Sequence, residues 1–315
     1  MGATLNPAQQ TVLDRLGAGA SVDDRPEFPP DLRDELREEV EAELAPVAAV
    51  LRSDRALVVD KRLLGGVHGC EVRFRHEQGA PFAISVPVLR GTVVHKAVEL
   101  AVNWDGNPPP GALVDEAIER IARADHWAAD WLAGASDGDR AEVRAAAGAT
   151  VAKFLECWPP LDRSMRPLTE VTMRAEVCDQ RIQLKGRADL TLGQPVDSGN
   201  RARKVIVDFK TGGFAPVHRD DLRFYALVET LRIGVPPRLL VSAYLDSGTL
   251  DEEVVTEGLL RSAVARTVDG VQRYAALRTG EAAPVKRPSA ACRWCSLLES
   301  CAEGTAHAAD TDPFG

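Results

Sequence analysis

The sequence predicts an α/β fold, a mixed central sheet flanked by helices. Three observations carry that expectation. Residues 168–177 and 181–192 alternate apolar and polar side chains with the period of a strand hairpin. The run KVIVDFK (204–210) is rich in β-branched residues. Helical stretches precede these strands and alternate with a further strand after them, an order that suits helices packed on a sheet.

The elements follow in chain order. After Pro29-Pro30, the residues Leu32, Leu36, Val40 and Leu44 form one apolar stripe on a charged helix. Upstream, LNPAQQTVL is somewhat like the glutamine motif ahead of a helicase ATP site. However, GxxxxGK[ST] occurs nowhere in the chain, so a plain surface helix is expected there. ALVVD (56–60) and EVRFR (71–75) read as short strands, and GTVVHKAVELAVNW from Gly91 reads as a buried helix that NPPPG (107–111) breaks. Helices are expected over about 112–133 and 139–157. A polar loop, VDSGNRAR, leads to the third strand. Then come a helix at about 219–233, a strand at 238–245 and a long helix at about 256–278.

Composition bounds the function. The 315 residues are 45% hydrophobic and 27% charged, which fits a globular chain with room for one large or two small domains. This excludes a mainly disordered chain. No run of 18 apolar residues suggests a membrane span, and the opening residues lack a basic then apolar leader, so a cytoplasmic location is expected. The net charge is −9, but residues 23–43 alone hold ten acidic and three basic residues. The acidity reports mostly on one helix and leaves a nucleic-acid partner open.

The chemistry concentrates in Asp189 and in Asp208-Phe209-Lys210. Side chains two apart on a strand share a face, so Asp208 and Lys210 can serve one site, and a hairpin brings Asp189 beside them. Two carboxylates and the Phe209 carbonyl are hard oxygen donors suited to Mg²⁺ or Mn²⁺. A lysine beside them can orient water or stabilise a charged transition state. These are the needs of phosphodiester hydrolysis; D-x-K at a strand end is otherwise an ordinary ion pair.

Four blocks in order resemble the PD-(D/E)XK nuclease superfamily, in its RecB-like branch. They are GTVVHKAVE (91–99), LKGRADLTL (184–192), VIVDFKTG (205–212) and DLRFYALV (221–228). The resemblance implies a restriction-endonuclease-like sheet, with His95, Asp189, Asp208 and Phe209 as metal ligands. It implies Asp189, Asp208 and Lys210 as the catalytic set, with Tyr225 as the aromatic of the last block. Asp221 stands where the family usually has glutamine. Glu170 stands where many relatives place a glutamate ahead of the hairpin, tuning the metal site or lying on a solvent face.

Six cysteines without a leader argue against a disulfide framework. Cys292, Cys295 and Cys301 form C-x₂-C-x₅-C, and a zinc ion or a [4Fe–4S] cluster needs a fourth ligand from Cys70, Cys157 or Cys178. The resemblance selects Cys70, because iron–sulfur members of the branch place one cysteine ahead of the histidine helix and three near the C-terminus. It favours [4Fe–4S] over structural zinc. Such a site would staple a loop of more than two hundred residues.

The expected organisation is an N-terminal helical region (1–65), a nuclease core (66–285), an iron–sulfur segment (286–305) and a flexible tail (306–315). The expected function is a metal-dependent DNA nuclease, an exonuclease of single strands or ends, with repair among the pathways and a separate helicase as the partner for any unwinding. Arg187, Arg219 and Arg223 are the leading phosphate contacts among the basic residues near the site, and Tyr225 and Trp294 are candidates for base stacking. The alternatives are a catalytically inactive DNA-binding module that assembles with a helicase, and a zinc-stabilised adaptor without nucleic acid.

Overall fold

The computed structural model describes residues 4–17, 21, 24–51, 55–80, 84–104, 106–124, 127–195 and 201–310. Part of the expected loop (196–200) and the last five residues of the expected tail lie outside them. The elements in chain order are α1 (Pro7–Arg15), α2 (Leu32–Val50), β1 (Leu57–Val59), α3 (Lys61–His68), α4 (Glu71–Gly79), α5 (Val86–Val102), α6 (Pro110–Ala122), α7 (Trp127–Gly134) and α8 (Asp137–Cys157). After these come β2 (Leu168–Val177), β3 (Ile182–Leu192), β4 (Val205–Lys210), α9 (Val217–Ile233), β5 (Leu239–Tyr244), β6 (Thr249–Val254), α10 (Glu257–Thr279) and α11 (Ala302–Asp310).

The chain forms two compact units, one of residues 1–38, 84–175 and 185–263, the other of residues 39–83, 176–184 and 264–315. In the first unit, β3 runs antiparallel to β4, β4 parallel to β5, and β5 antiparallel to β6. Strands β4 and β5 are covered on both faces, which is why VIVDFK and LLVSAY read as nearly continuous apolar runs. Leu190, Val207, Phe209, Val241 and Ala243 join the core built by α5, α6 and α8. Phe209 stacks edge-on against Phe154 and Trp158, with ring centroids 5.7 and 5.1 Å away. Helix α9 packs on the sheet face that carries the alternate residues, through Tyr225 on Gly186 and Asp221 beside Lys210. Helix α1 docks on the end of α8: Asn6 closes a capping box with Gln9 and also donates to the Glu156 carbonyl at 2.8 Å.

In the second unit, β1 runs parallel to the first residues of β3. EVRFR, expected as a strand, is the start of α4. Its period-two alternation is short, and tertiary contacts override it: the Phe74 ring lies over Gly66, where a Cβ would come within 2.1 Å, and meets Tyr274 edge-on. Buried Glu71 pins the first turn of α4, accepting a two-pronged bond from Arg273 (2.7 and 2.6 Å), the Val285 amide (2.8 Å) and Arg287 (3.0 Å). Together these donors hold the Glu71 carboxyl down at about 2. The helix expected over 112–133 divides into α6 and α7. Residues 306–310, placed in a flexible tail by the sequence, belong to α11.

Candidate active site

Strands β3 and β4 bring the two aspartates together. Leu190 lies opposite Val207, so one step further along the antiparallel ladder Asp189 comes opposite Asp208. Asp189 then takes over from the backbone ladder: its Oδ2 accepts the Phe209 amide at 2.6 Å. Its Oδ1 lies 3.3 Å from His95 Nδ1 on α5. Gly91 brings α5 close enough, since a Cβ there would sit 3.3 Å from the Thr211 hydroxyl, just past β4.

Glu170 completes the cluster. Ligand atoms of His95, Glu170 and Asp189 all lie within 4.8 Å of one another. The Glu170 backbone sits at φ 53°, the left-handed region that a non-glycine residue occupies only when its surroundings impose it. Arg187, expected to hold phosphate, pairs with Glu170 at 3.1 Å while keeping its own side chain 66% exposed.

Asp208 is buried, and its Oδ2 holds Lys210 Nζ at 2.6 Å. Asp221, at the glutamine position of the family pattern, lies 3.6 Å from the same ammonium. Lys210 is thus fixed between two carboxylates on the face it shares with Asp208.

The electrostatics record crowded negative charge. Burial lowers the pKa of His95, yet the charge and hydrogen bond of Asp189, with the charges of Asp208 and Glu170, outweigh it and raise the net value. Burial raises the pKa of Glu170, and Asp189 and Glu99 add to this against the opposing pull of Arg187 and His95. A histidine raised against its own burial records negative charge in excess of the cations around it. With one imidazole and several carboxylate oxygens, the donor chemistry of the site fits a hard divalent cation. Glu99, one turn after His95 on α5, is a member of this environment that the sequence reading passed over. Its signal was the i, i+4 spacing.

Other predicted residues are placed differently. Tyr225 is 2% exposed, and its ring fills the space a Cβ at Gly186 would occupy, 2.7 Å from Cδ1, so it is a packing residue rather than a platform for a base. Arg219 and Arg223 are held in two-pronged pairs by Asp251 and Glu253 on β6. Trp294 is 76% exposed.

The cysteine set lies in the second unit. All four predicted ligands are free thiols and partly accessible. Cys70 caps α4 without using its side chain for the cap. A Cβ at Gly304 would lie 3.3 Å from Cys301 Sγ and 3.6 Å from Cys292 Sγ. Backbone amides of Ser289 and Gly304 donate to the sulfurs of Cys292 and Cys301, each at 3.4 Å. Lys286 bonds to Glu303, and the charges of Cys301 and Cys70 add to the rise in its pKa. Sulfur donors are soft ligands, so the chemistry of the set fits a soft metal centre. Of the alternatives for the fourth ligand, Cys157 packs against Gly248, and Cys178 lies against Glu41 with its thiol pushed up by burial.

The PD-(D/E)XK nuclease superfamily pattern matches residues 64–302, and the chain belongs to that superfamily. Its mixed sheet between helices is the restriction-endonuclease-like architecture. Among solved structures, a protein from Eubacterium rectale named "Putative exonuclease" is similar at 13% identity and a TM-score of 0.44, over 78% of this chain and 87% of that one. SSO0001 is similar at 14% identity and a TM-score of 0.33, over 84% and 95%. No curated protein sequence matches. Among the described residues no helix is long and apolar enough to cross a membrane.

Proposed function

We propose that the chain is a metal-dependent exonuclease of the RecB-like branch that hydrolyses single-stranded DNA or DNA ends. The observation that carries this reading is the convergence of His95, Glu170 and Asp189 within 4.8 Å, beside a lysine that Asp208 holds at 2.6 Å. His95, Glu170, Asp189, Asp208 and the Phe209 carbonyl would hold Mg²⁺ or Mn²⁺, which supplies charge neutralisation at the phosphate and a more acidic bound water. Asp189 is oriented for this by the Phe209 amide. The Lys210 ammonium orients the attacking water and offsets charge building on the phosphate oxygens as the P–O bond to the leaving sugar breaks. Asp208 and Asp221 keep that ammonium from swinging away.

The same reading gives Cys70, Cys292, Cys295 and Cys301 a [4Fe–4S] cluster with a structural role. Its support is the pair of backbone amides directed at Cys292 and Cys301. The domain boundaries read from the sequence and a helicase partner for unwinding belong to the same proposal.

Degradation of end-labelled single-stranded DNA with Mn²⁺, by anaerobically purified wild type and by Lys210→Ala, tests the catalytic part. The expectation is steady release of label by wild type and loss in the variant, with an unchanged melting curve. A wild type that binds DNA and leaves it intact would favour the inactive assembly module. Iron, sulfide and zinc content, with the visible absorbance of wild type and Cys295→Ser, tests the cluster; zinc without sulfide would overturn it.

A further inference from the structure

In a chain with 5% aromatic residues, Phe214 is conspicuous. It is 56% exposed, four residues beyond Lys210 on the segment that leaves β4. Two neighbours brace the ring. The Arg219 guanidinium lies 5.5 Å from its centroid, and the Tyr244 ring lies 6.2 Å away at a tilt of 59°. Tyr244 is itself the β5 partner of Lys210 in the ladder. Arg219 is locked in place by its two bonds to Asp251, at 2.8 and 2.6 Å. The loop is fastened as well: the Ala215 amide donates to His218 Nδ1 at 3.3 Å, and that nitrogen lies 3.1 Å from the Tyr244 hydroxyl. Between Lys210 and Phe214, Gly212 and Gly213 open onto free space, with no atom within 4 Å of where a Cβ would stand.

A braced aromatic side chain that is 56% exposed, next to glycines that let a sugar–phosphate chain approach, has the form of a stacking platform. We propose that Phe214 receives an unpaired nucleobase of the nucleotide beside the scissile phosphate. Arg219 braces the ring rather than contacting phosphate, because Asp251 already neutralises it. A base inside a duplex has both faces occupied by its neighbours, so the platform selects single-stranded or frayed ends. This inference rests on the nuclease reading above and specifies its substrate.

The test compares wild type, Phe214→Ala and Phe214→Trp for binding a fluorescein-labelled thymidine oligonucleotide. The control is a strand of the same length made of abasic tetrahydrofuran residues, and the readout is anisotropy. The expected result is a wild-type preference for the base-bearing strand that falls about tenfold in Phe214→Ala and returns in Phe214→Trp. Because the ring is exposed, melting curves of the variants serve as the control for folding. An unchanged preference in Phe214→Ala, alongside wild-type binding and cleavage, overturns the platform and leaves the nuclease reading standing. Failure of wild type to bind or cleave either strand overturns both.

Discussion

Two glutamates of this chain carry opposite charge environments. Glu71, in the second unit, is fully buried and surrounded by donors: Arg273, Arg287 and the Val285 amide all bond to it, and its carboxyl is held at about 2. Glu170, in the first unit, is pushed upward first by burial and then by Asp189 and Glu99, against the pull of one partly committed arginine and of His95. The first arrangement is complete and stabilises the fold. The second leaves the carboxylate with fewer donors, beside His95 and Asp189. At Glu71 the donors overcome burial, whereas at Glu170 burial prevails and neighbouring carboxylates add to it, and this balance separates the structural residue from the candidate ligand.

Breaking the complete arrangement has the largest expected effect on stability. Glu71→Gln keeps the shape and removes the charge, and denaturant unfolding should show a loss of about 3 kcal/mol. The pH dependence checks the same residue without mutation. A carboxyl whose pKa is lowered in the folded state stabilises the fold fully above its unfolded value, near 4.5, and loses that contribution as pH falls toward 2. Wild type should therefore lose on the order of 3 kcal/mol more than Glu71→Gln across that window, and matching pH profiles would remove Glu71 from its central role.

On the catalytic side, Gly186→Ala drives a methyl into the Tyr225 ring, 2.7 Å from Cδ1. A loss of about 2 kcal/mol in thermal or chemical unfolding is expected. Nuclease rate should fall as well, because α9 also carries Asp221, and a larger companion loss in KM than in kcat would argue against that route. The smallest stability effect belongs to the incomplete arrangement. Glu170→Gln should leave the metal-free protein within about 0.5 kcal/mol of wild type, or slightly more stable, by differential scanning calorimetry. Its Mn²⁺ affinity, by titration calorimetry, should fall about 10- to 100-fold. A strongly destabilised metal-free variant would make Glu170 a structural residue like Glu71.

The aspartates were legible because strand spacing is a local property. Asp208 and Lys210 share a face by alternation alone, and one hairpin brings Asp189 opposite. Tyr225 was misread because its place depends on the missing side chain of Gly186, on another element. The left-handed backbone at Glu170 leaves no trace in LTEVTMRAEV. Strand β6 escaped because TLDEEV is polar and only partly buried, without the alternation of a half-buried strand. Helices α3 and α11 escaped for related reasons: KRLLGGVH carries two adjacent glycines, and AEGTAHAAD has no apolar stripe. The α4 segment shows the opposite failure, where five alternating residues suggested a strand and the packing of Phe74 decided for a helix.

The Glu71 lock also has a timetable. Its acceptor is made early and its donors late, since Arg273, Val285 and Arg287 follow by two hundred residues or more. At about 5–20 residues per second of synthesis, Glu71 waits roughly 10–40 s after its own translation for the last of its partners. Until then α4 has no anchor on its N-terminal turn, and the growing chain carries Phe74 uncovered by Tyr274. The Glu71 contacts of the second unit therefore close only after residues 273–287 have been synthesised.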